Sequence, residues 1–420
     1  MAMFSERGVM LNQRAATLIV CGLISLSLFV WWSTNHHTSH LRIQSGAAAL
    51  FQKGHFNGTW IYQRDAANLM LNTQQCDQAF PGLFEEVDRP VKHRSASHVT
   101  VAELDEIPKQ NGYVRAMIFD QQLYVIETKG QIYSRGLATL QALHRAILSS
   151  PETLPNIEFA FNTDDRVPSV PLWSYARRDE DKKIWLIPDF GHWSWPETKV
   201  GTLPEVQMKA AALEEVWSWS TKVPKLFWRG AVMGLKLREQ LLQTTAGKPW
   251  ADVKALTWRE KDSMANDLKS MPEHCQYKYL AHTEGNSYSG RLKYLQSCKS
   301  VVIAHKMDWI QHYHPLMRSN GPQQNFVEVQ RDYSDLEDKI SWLENHSEIA
   351  EGIASNSMQL FREQYLTPAA EVCYWRRLID GWSMVSFEPE FYNTVDGQKV
   401  WRGVPVESYL LERRLEWDPY

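Results

Sequence analysis

Residues 277–304 read YKYLAHTEGNSYSGRLKYLQSCKSVVIA. Tyr277 to Ala281 reads as a strand. Ser300 to Ala304 is a continuous apolar run of the kind buried inside a parallel sheet. Between them lie a loop, His282 to Gly290, and a helical stretch, Arg291 to Cys298, with Leu292 and Leu295 on its buried side. Strand, loop, helix and strand in this order form a βαβ unit, and such a unit presents its first loop at the carboxyl edge of the sheet, where α/β folds bind ligands. The loop chemistry suits an anion. Gly285 and Gly290 allow close backbone approach, and Ser287 and Ser289 offer hydroxyls. The following helix directs its first amides at the loop, and Arg291 adds donors that match diphosphate oxygens. The spacing is neither a Walker loop nor G-x-G-x-x-G, so an ordinary Gly/Ser turn is the competing reading.

The alternation extends in both directions. Upstream, Val114–Ile118, Gln122–Glu127, Ile157–Phe161, Ile184–Ile187 and Leu226–Trp228 read as strands, and Ser134–Ser149 and Leu203–Trp219 as helices. Downstream, Leu336–Leu343, Ser347–Gln364 and Pro368–Trp382 read as helical. Residues 60–94 are mixed, with an aromatic patch from Phe80 to Phe84. The whole predicts two α/β halves joined near residues 195–225.

Two of these strands end in polar clusters. Leu226-Phe-Trp-Arg229-Gly230 puts a cation at a sheet edge, although a surface arginine explains it as well. Asn162-Thr163-Asp164-Asp165 puts two carboxylates at another edge, where one could serve as general base; a cap or turn is the plain alternative. Asp179-Glu180-Asp181 has the D-x-D form that holds a metal in some transferases. It sits, however, in the charged run Arg177 to Lys183, which reads as a solvated loop. His312-x-His314 and His36-His37 read as surface and stem histidines.

The 420 residues carry a formal charge of −4 and 22% charged residues. With a mean hydropathy of −0.42, this composition excludes a disordered tail protein and a multispan transporter, and it gives no sign of a nucleic-acid partner. Ala15 to Trp32 is an uncharged run of 18 residues, preceded by Arg7 and Arg14. It predicts a signal anchor with residues 1–14 cytosolic and the body luminal. The run ends in Val30-Trp31-Trp32, a poor cleavage site, which disfavours a removed signal peptide. Residues 33–59 read as a stem. Of five cysteines, Cys21 lies in the apolar run. Cys76, Cys275, Cys298 and Cys373 form an even set fit for two disulfides in an oxidising lumen, with a zinc site that includes His274 as the alternative. Asn57 and Asn345 head glycosylation sequons.

Together, these segments resemble glycosyltransferase family 90, which contains protein O-glucosyltransferases and capsule-associated xylosyltransferases. The likeness rests on HCQYKYLAHTEGNSYSGRLKYLQSCKSVV (274–302), with KLFWRG, FNTDD and VCYWRRL in the family's order and QCDQAFPGLF as in fungal members. It spans roughly residues 60 to 385. The resemblance implies a GT-B fold of two Rossmann-like domains: an acceptor-side domain over 60–200, a UDP-sugar domain over 201–365, and helices over 366–420 that pack back on the first half. It implies an inverting enzyme of the Golgi or endoplasmic reticulum that moves glucose or xylose from a UDP-sugar to a protein or glycan, with no cofactor and no essential metal. Asp165 matches the family's base. Arg229, Gly285, Ser287, Ser289 and Arg291 fall at or within the donor site, and the pairing Cys275–Cys298 with Cys76–Cys373 follows. Asp164 departs from the pattern, since animal members often carry Arg there. Two other classes remain as alternatives, a catalytically inactive carbohydrate-binding relative and a metal-dependent hydrolase.

Overall fold

The structure, a computed structural model, describes residues 56–130, 132–257 and 267–415. The tail, the apolar run 15–32, most of the stem, Cys21, His36-His37 and the last five residues lie outside these. Among the described residues, no helix is long and apolar enough to cross a membrane.

The stretch that looked mixed holds a single helical turn, Tyr62–Asp65, and two longer helices, α1 (Thr73–Ala79) and α2 (Glu85–Arg94). Asn72 and Gln75 close a capping box on α1. Acidic residues in the first turn of α2 and basic ones in its last complement the helix dipole.

Asp120 and Gln121, at φ 46° and 62°, make a two-residue turn between β1 (Tyr113–Phe119) and β2 (Gln122–Lys129). A turn so short with both φ positive fits an antiparallel hairpin, and the strands pair that way. After α3 (Tyr133–Leu148) come β3 (Ile157–Asn162), β4 (Trp173–Ser174) and β5 (Trp185–Leu186). β3 runs antiparallel to β1 and parallel to β4, so the first sheet is mixed. The expectation of a Rossmann-like first half is corrected here, because strands joined by two residues leave no room for the crossover that parallel pairing requires.

The second half follows α4 (Leu203–Val216). Its elements are β6 (Val223–Gly230), α5 (Lys236–Thr245), β7 (Ala251–Ala255), β8 (Tyr277–His282), a single turn α6 (Leu292–Leu295), β9 (Val301–His305) and β10 (Val327–Val329). The sheet order is β10-β9-β8-β6-β7 and every pair is parallel. This is a doubly wound order whose switch point lies between β6 and β8. Strand residues alternate between two cores: Leu226, Tyr279 and Val301 on one face, Phe227, Leu280 and Val302 on the other. Burial on both faces explains why Ser300 to Ala304 reads as unbroken apolar sequence.

Helices α7 (Leu336–Asn345) and α8 (Ser347–Leu360) cover this sheet. The predicted helix to Gln364 stops at Leu360 and widens into a π turn, Phe361–Tyr365. There the chain crosses between halves. Arg362 holds Glu214 (2.6 Å) and the Ser297 carbonyl (3.0 Å), while Tyr365 donates to the Pro81 carbonyl (2.7 Å). Beyond it, α9 (Pro368–Met384) runs through the core of the first half. The Trp382 ring stands edge-on to Trp173 at 5.7 Å, and its indole N–H donates to the Glu158 carbonyl (2.9 Å). The chain ends in a hairpin, β11 (Tyr392–Val395) and β12 (Gln398–Trp401), then β13 (Val404–Pro405) on the edge of β2, and α10 (Val406–Glu412). Residues 366–420 thus contribute strands as well as helices.

Both disulfides are present. Cys76–Cys373 ties α1 to α9 across 297 residues, and Cys275–Cys298 spans 23. The zinc alternative of His274, Cys275, Cys298 and Cys373 falls, because its three cysteines are committed to these bonds.

Candidate active site

A cleft of about 500 Å³ opens at the carboxyl ends of β6 and β8, the switch point of the parallel sheet, and the first half supplies its opposite wall. The size and concavity suit a small-molecule site.

On the first-half wall, β3 ends at Asn162, whose side-chain oxygen accepts the Asp164 N–H at 2.6 Å. This tight turn sends the two carboxylates to different places. Asp165 lines the cleft, with Oδ1 held by Arg135 Nη1 at 3.0 Å. Asp164 does not line it. Burial, followed by the charge of Asp165, pushes the Asp164 carboxyl up. Arg135 is itself fixed over the Phe190 ring at 4.8 Å.

On the other wall, Arg229 and Arg291 both reach the cleft, in different states. Arg229 is buried and engaged: Nη2 donates to Asp252 Oδ1 (2.6 Å), Nη1 to the carbonyls of Asp252 (2.6 Å) and Trp228 (3.0 Å), and Nε to the Asp267 carbonyl (3.1 Å). It acts chiefly as a strut between β6 and β7. The Arg291 guanidinium lies over the Trp228 ring at 5.9 Å and has no hydrogen-bond or ion-pair partner among the described residues. Burial and then the neighbouring charge of Arg238 bring its pKa down to about 10, so it stays protonated at neutral pH. Arg238, on α5, was not singled out from the sequence. It donates to the carbonyls of Glu284 (3.1 Å) and Ala231 (2.6 Å) and meets no carboxylate among the described residues. Nothing in KLREQLL marks it; its role comes from α5 directly following β6. Among the described residues neither guanidinium forms an ion pair, so Arg238 and Arg291 together make a cationic pair whose nearest influence of opposite sign is the Asp165 charge on Arg238.

The Gly/Ser loop lies beside this pair. A Cβ at Gly285 would sit 3.3 Å from both Arg238 Nη2 and the Tyr288 carbonyl, so the position favours a residue without a side chain. Gly285, Ser289 and Gly290 line the cleft. Ser287 does not: it is fully buried with no partner for its hydroxyl, and the half-buried Asn286 lines the cleft instead. The helix expected over Arg291–Cys298 contracts to Leu292–Leu295. Bonds of the i→i+3 kind, Tyr294 N–H to Arg291 and Cys298 N–H to Leu295, tighten the coil where Cys298 is tied to Cys275. The positive character of this wall therefore comes from the arginines rather than from a long helix dipole.

His274 also lines the cleft. Burial, then Arg291 and Arg229, lowers its pKa to about 3, so it presents a neutral ring. His312 is buried, which corrects its reading as a surface residue; it packs among His192, Tyr313 and Tyr374. Asp179 is 82% exposed, paired with Lys182, and not among the residues lining the cleft. Among the described residues, no three metal-type side chains cluster. Asn57 and Asn345 are both exposed.

The sequence profile of glycosyl transferase family 90 matches residues 72–396. Protein O-glucosyltransferase 1 of Rattus norvegicus is 24% identical over 316 residues, covering 67% of this chain and 79% of that protein. Its Homo sapiens counterpart is 23% identical over 313 residues, with the same coverage. O-glucosyltransferase rumi of Drosophila melanogaster is 25% identical over 323 residues, 67% of this chain and 75% of that protein. An α/β chain with a cationic cleft at a doubly wound switch point is consistent with such a transferase, and the chain belongs to glycosyl transferase family 90.

Proposed function

We propose that the protein is an inverting, UDP-sugar-dependent transferase that places glucose or xylose on a hydroxyl of a protein acceptor. One observation carries the reading: the cationic Arg238–Arg291 pair lines the same cleft as the Asp165 carboxylate, on the opposite wall. Two α/β halves sharing a cleft support a GT-B-like arrangement in which only the second half has the parallel doubly wound sheet, and the relatives' names favour glucose and protein over xylose and glycan. Four cysteines in two disulfides support an oxidising lumen of the secretory pathway, with residues 15–32 as anchor.

The chemistry is a single displacement. Asp165 takes the proton of the acceptor hydroxyl, whose oxygen bonds to the anomeric carbon. The bond from that carbon to the β-phosphate oxygen breaks on the opposite face, and UDP leaves with the electron pair. Charge grows on the diphosphate in the transition state. Arg238 and Arg291, held in a partly desolvated wall, stabilise it there more than in the ground state.

The test is a panel of UDP-sugars with the purified protein and a folded acceptor domain, read as UDP release and acceptor mass gain. Turnover with UDP-glucose or UDP-xylose that survives EDTA is expected. Absence of turnover with every UDP-sugar, or loss in EDTA with rescue by manganese, defeats the reading.

A further inference from the structure

Asp189 follows β5 and has no exposed side-chain surface. Its Oδ1 accepts from Lys293 Nζ at 2.7 Å and from the Gly191 N–H at 2.8 Å. Its Oδ2 accepts from the same ammonium at 3.0 Å and from Gln311 Nε2 at 3.1 Å. Burial alone would raise the carboxyl's pKa; the Lys293 charge and His192 outweigh it and hold it well below the usual range. The pair spans the two halves just beneath the cleft.

Lys293 makes one more bond, and it is directed at the site. Its Nζ donates to the Gly290 carbonyl at 2.7 Å. That carbonyl belongs to the peptide joining Gly290 to Arg291. On the other side, the Arg291 carbonyl accepts from the N–H groups of Tyr294 (2.9 Å) and Leu295 (3.2 Å). The Arg291 guanidinium lies over the Trp228 ring at 5.9 Å and has no hydrogen-bond or ion-pair partner among the described residues, so its aim depends largely on how this backbone is held. Tyr294 also donates to the Gly191 carbonyl at 2.9 Å, a second link across the same seam. Gly191 leaves the room required: a Cβ there would lie 2.6 Å from Lys293 Nζ.

We infer that Asp189 and Lys293 are positioning residues, a buried pair that fixes the Gly290–Arg291 peptide and thereby aims Arg291 at the donor's diphosphate; the inference rests on the UDP-sugar reading above. A buried ion pair adds little net stability over a well-packed neutral pair. Its value here is the lysine's third bond, which a neutral pair would lack.

The test measures UDP affinity by calorimetry on the full chain, with melting temperature as the folding control. Asp189→Asn with Lys293→Met removes both charges together and leaves no lone buried ion. A folded double variant is expected to bind UDP about tenfold more weakly, the scale of one misdirected charged hydrogen bond. Gly191→Ala keeps both charges but crowds the ammonium, and a severalfold loss is expected. In an Arg291→Ala background, either change costs under about twofold, because residues acting through one another are not additive. A folded double variant with wild-type UDP affinity overturns the inference, as does the same loss with and without Arg291. If the double variant does not fold, Gly191→Ala decides, and unchanged affinity there overturns it. Wild-type protein that binds no UDP overturns the donor reading and this inference with it.

Discussion

Asp164 and Asp165 are adjacent in sequence, yet only Asp165 lines the cleft. Asp165→Asn should therefore cut turnover by about two to four orders of magnitude, the range for a lost general base, with UDP affinity hardly changed. Asp164→Asn should be mild. Steady-state kinetics on both variants check the register, and the reverse pattern moves the base by one residue. Arg238→Ala should weaken UDP binding by about 1.5–3 kcal/mol, as for a lost charged hydrogen bond, whereas a change confined to kcat would remove Arg238 from the ground-state contact. Asp380 tests a different property. Burial, against the opposing charge of Arg377, raises its pKa to about 6. The folded state then holds this proton more tightly than the unfolded chain, whose Asp titrates near 3.9. The stabilising contribution is complete below about pH 4 and is lost as pH rises through about 6. Asp380→Asn should accordingly raise the melting temperature at pH 7.5 more than at pH 4.5; an equal gain at both would exclude titration as the cause. Arg291 and Gly285 were legible because loop chemistry lies in consecutive residues. Arg238 and the true surroundings of Ser287 were not, since both depend on which way a side chain turns after the elements pack.

Elements with a single strong period were easiest to read. Ile157–Phe161 and Tyr277–Ala281 lie within strands one residue longer, and Ser300–Ala304 overlaps a strand shifted by one residue, Val301–His305. The misses have physical causes. The edge strand β7 and the short β10 carry little apolar sequence, and β13 has two residues whose only warrant is pairing with β2. The helix after Arg291 was overestimated because a covalent bridge, which periodicity does not register, limits it. The bridges also differ in what they constrain. In the chain-entropy model, closing the loop of Cys76–Cys373, with its separation of 297, stabilises by about 5 to 6 kcal/mol, against about 3 to 4 for Cys275–Cys298, with its separation of 23. Replacing Cys76 and Cys373 by Ser should lower the melting temperature more than replacing the other pair, and thermal unfolding of the two double variants compares them directly.

At the scale of the whole molecule, membrane attachment is the main open expectation. Protease treatment of sealed microsomes should leave the body intact, and an N-terminus beginning beyond Trp32 in the mature protein would show a removed signal instead of an anchor. The two α/β halves followed in outline from the alternation of elements. The mixed pairing of the first sheet did not, because it turns on the backbone angles of two residues, Asp120 and Gln121.

The path of α9 and β13 has a consequence for how the protein is made. The parallel sheet is contiguous in sequence, from Val223 to Val329, whereas the first half takes its central helix and an edge strand from beyond residue 367. As the chain emerges from the ribosome, the earlier half must wait with part of its core uncovered while the later half is already complete. During that interval Cys76 has no native partner, since Cys373 is not yet synthesised, while Cys275 and Cys298 can already pair. Folding thus runs against the order of the sequence, and the first half to leave the ribosome is the last whose core can close.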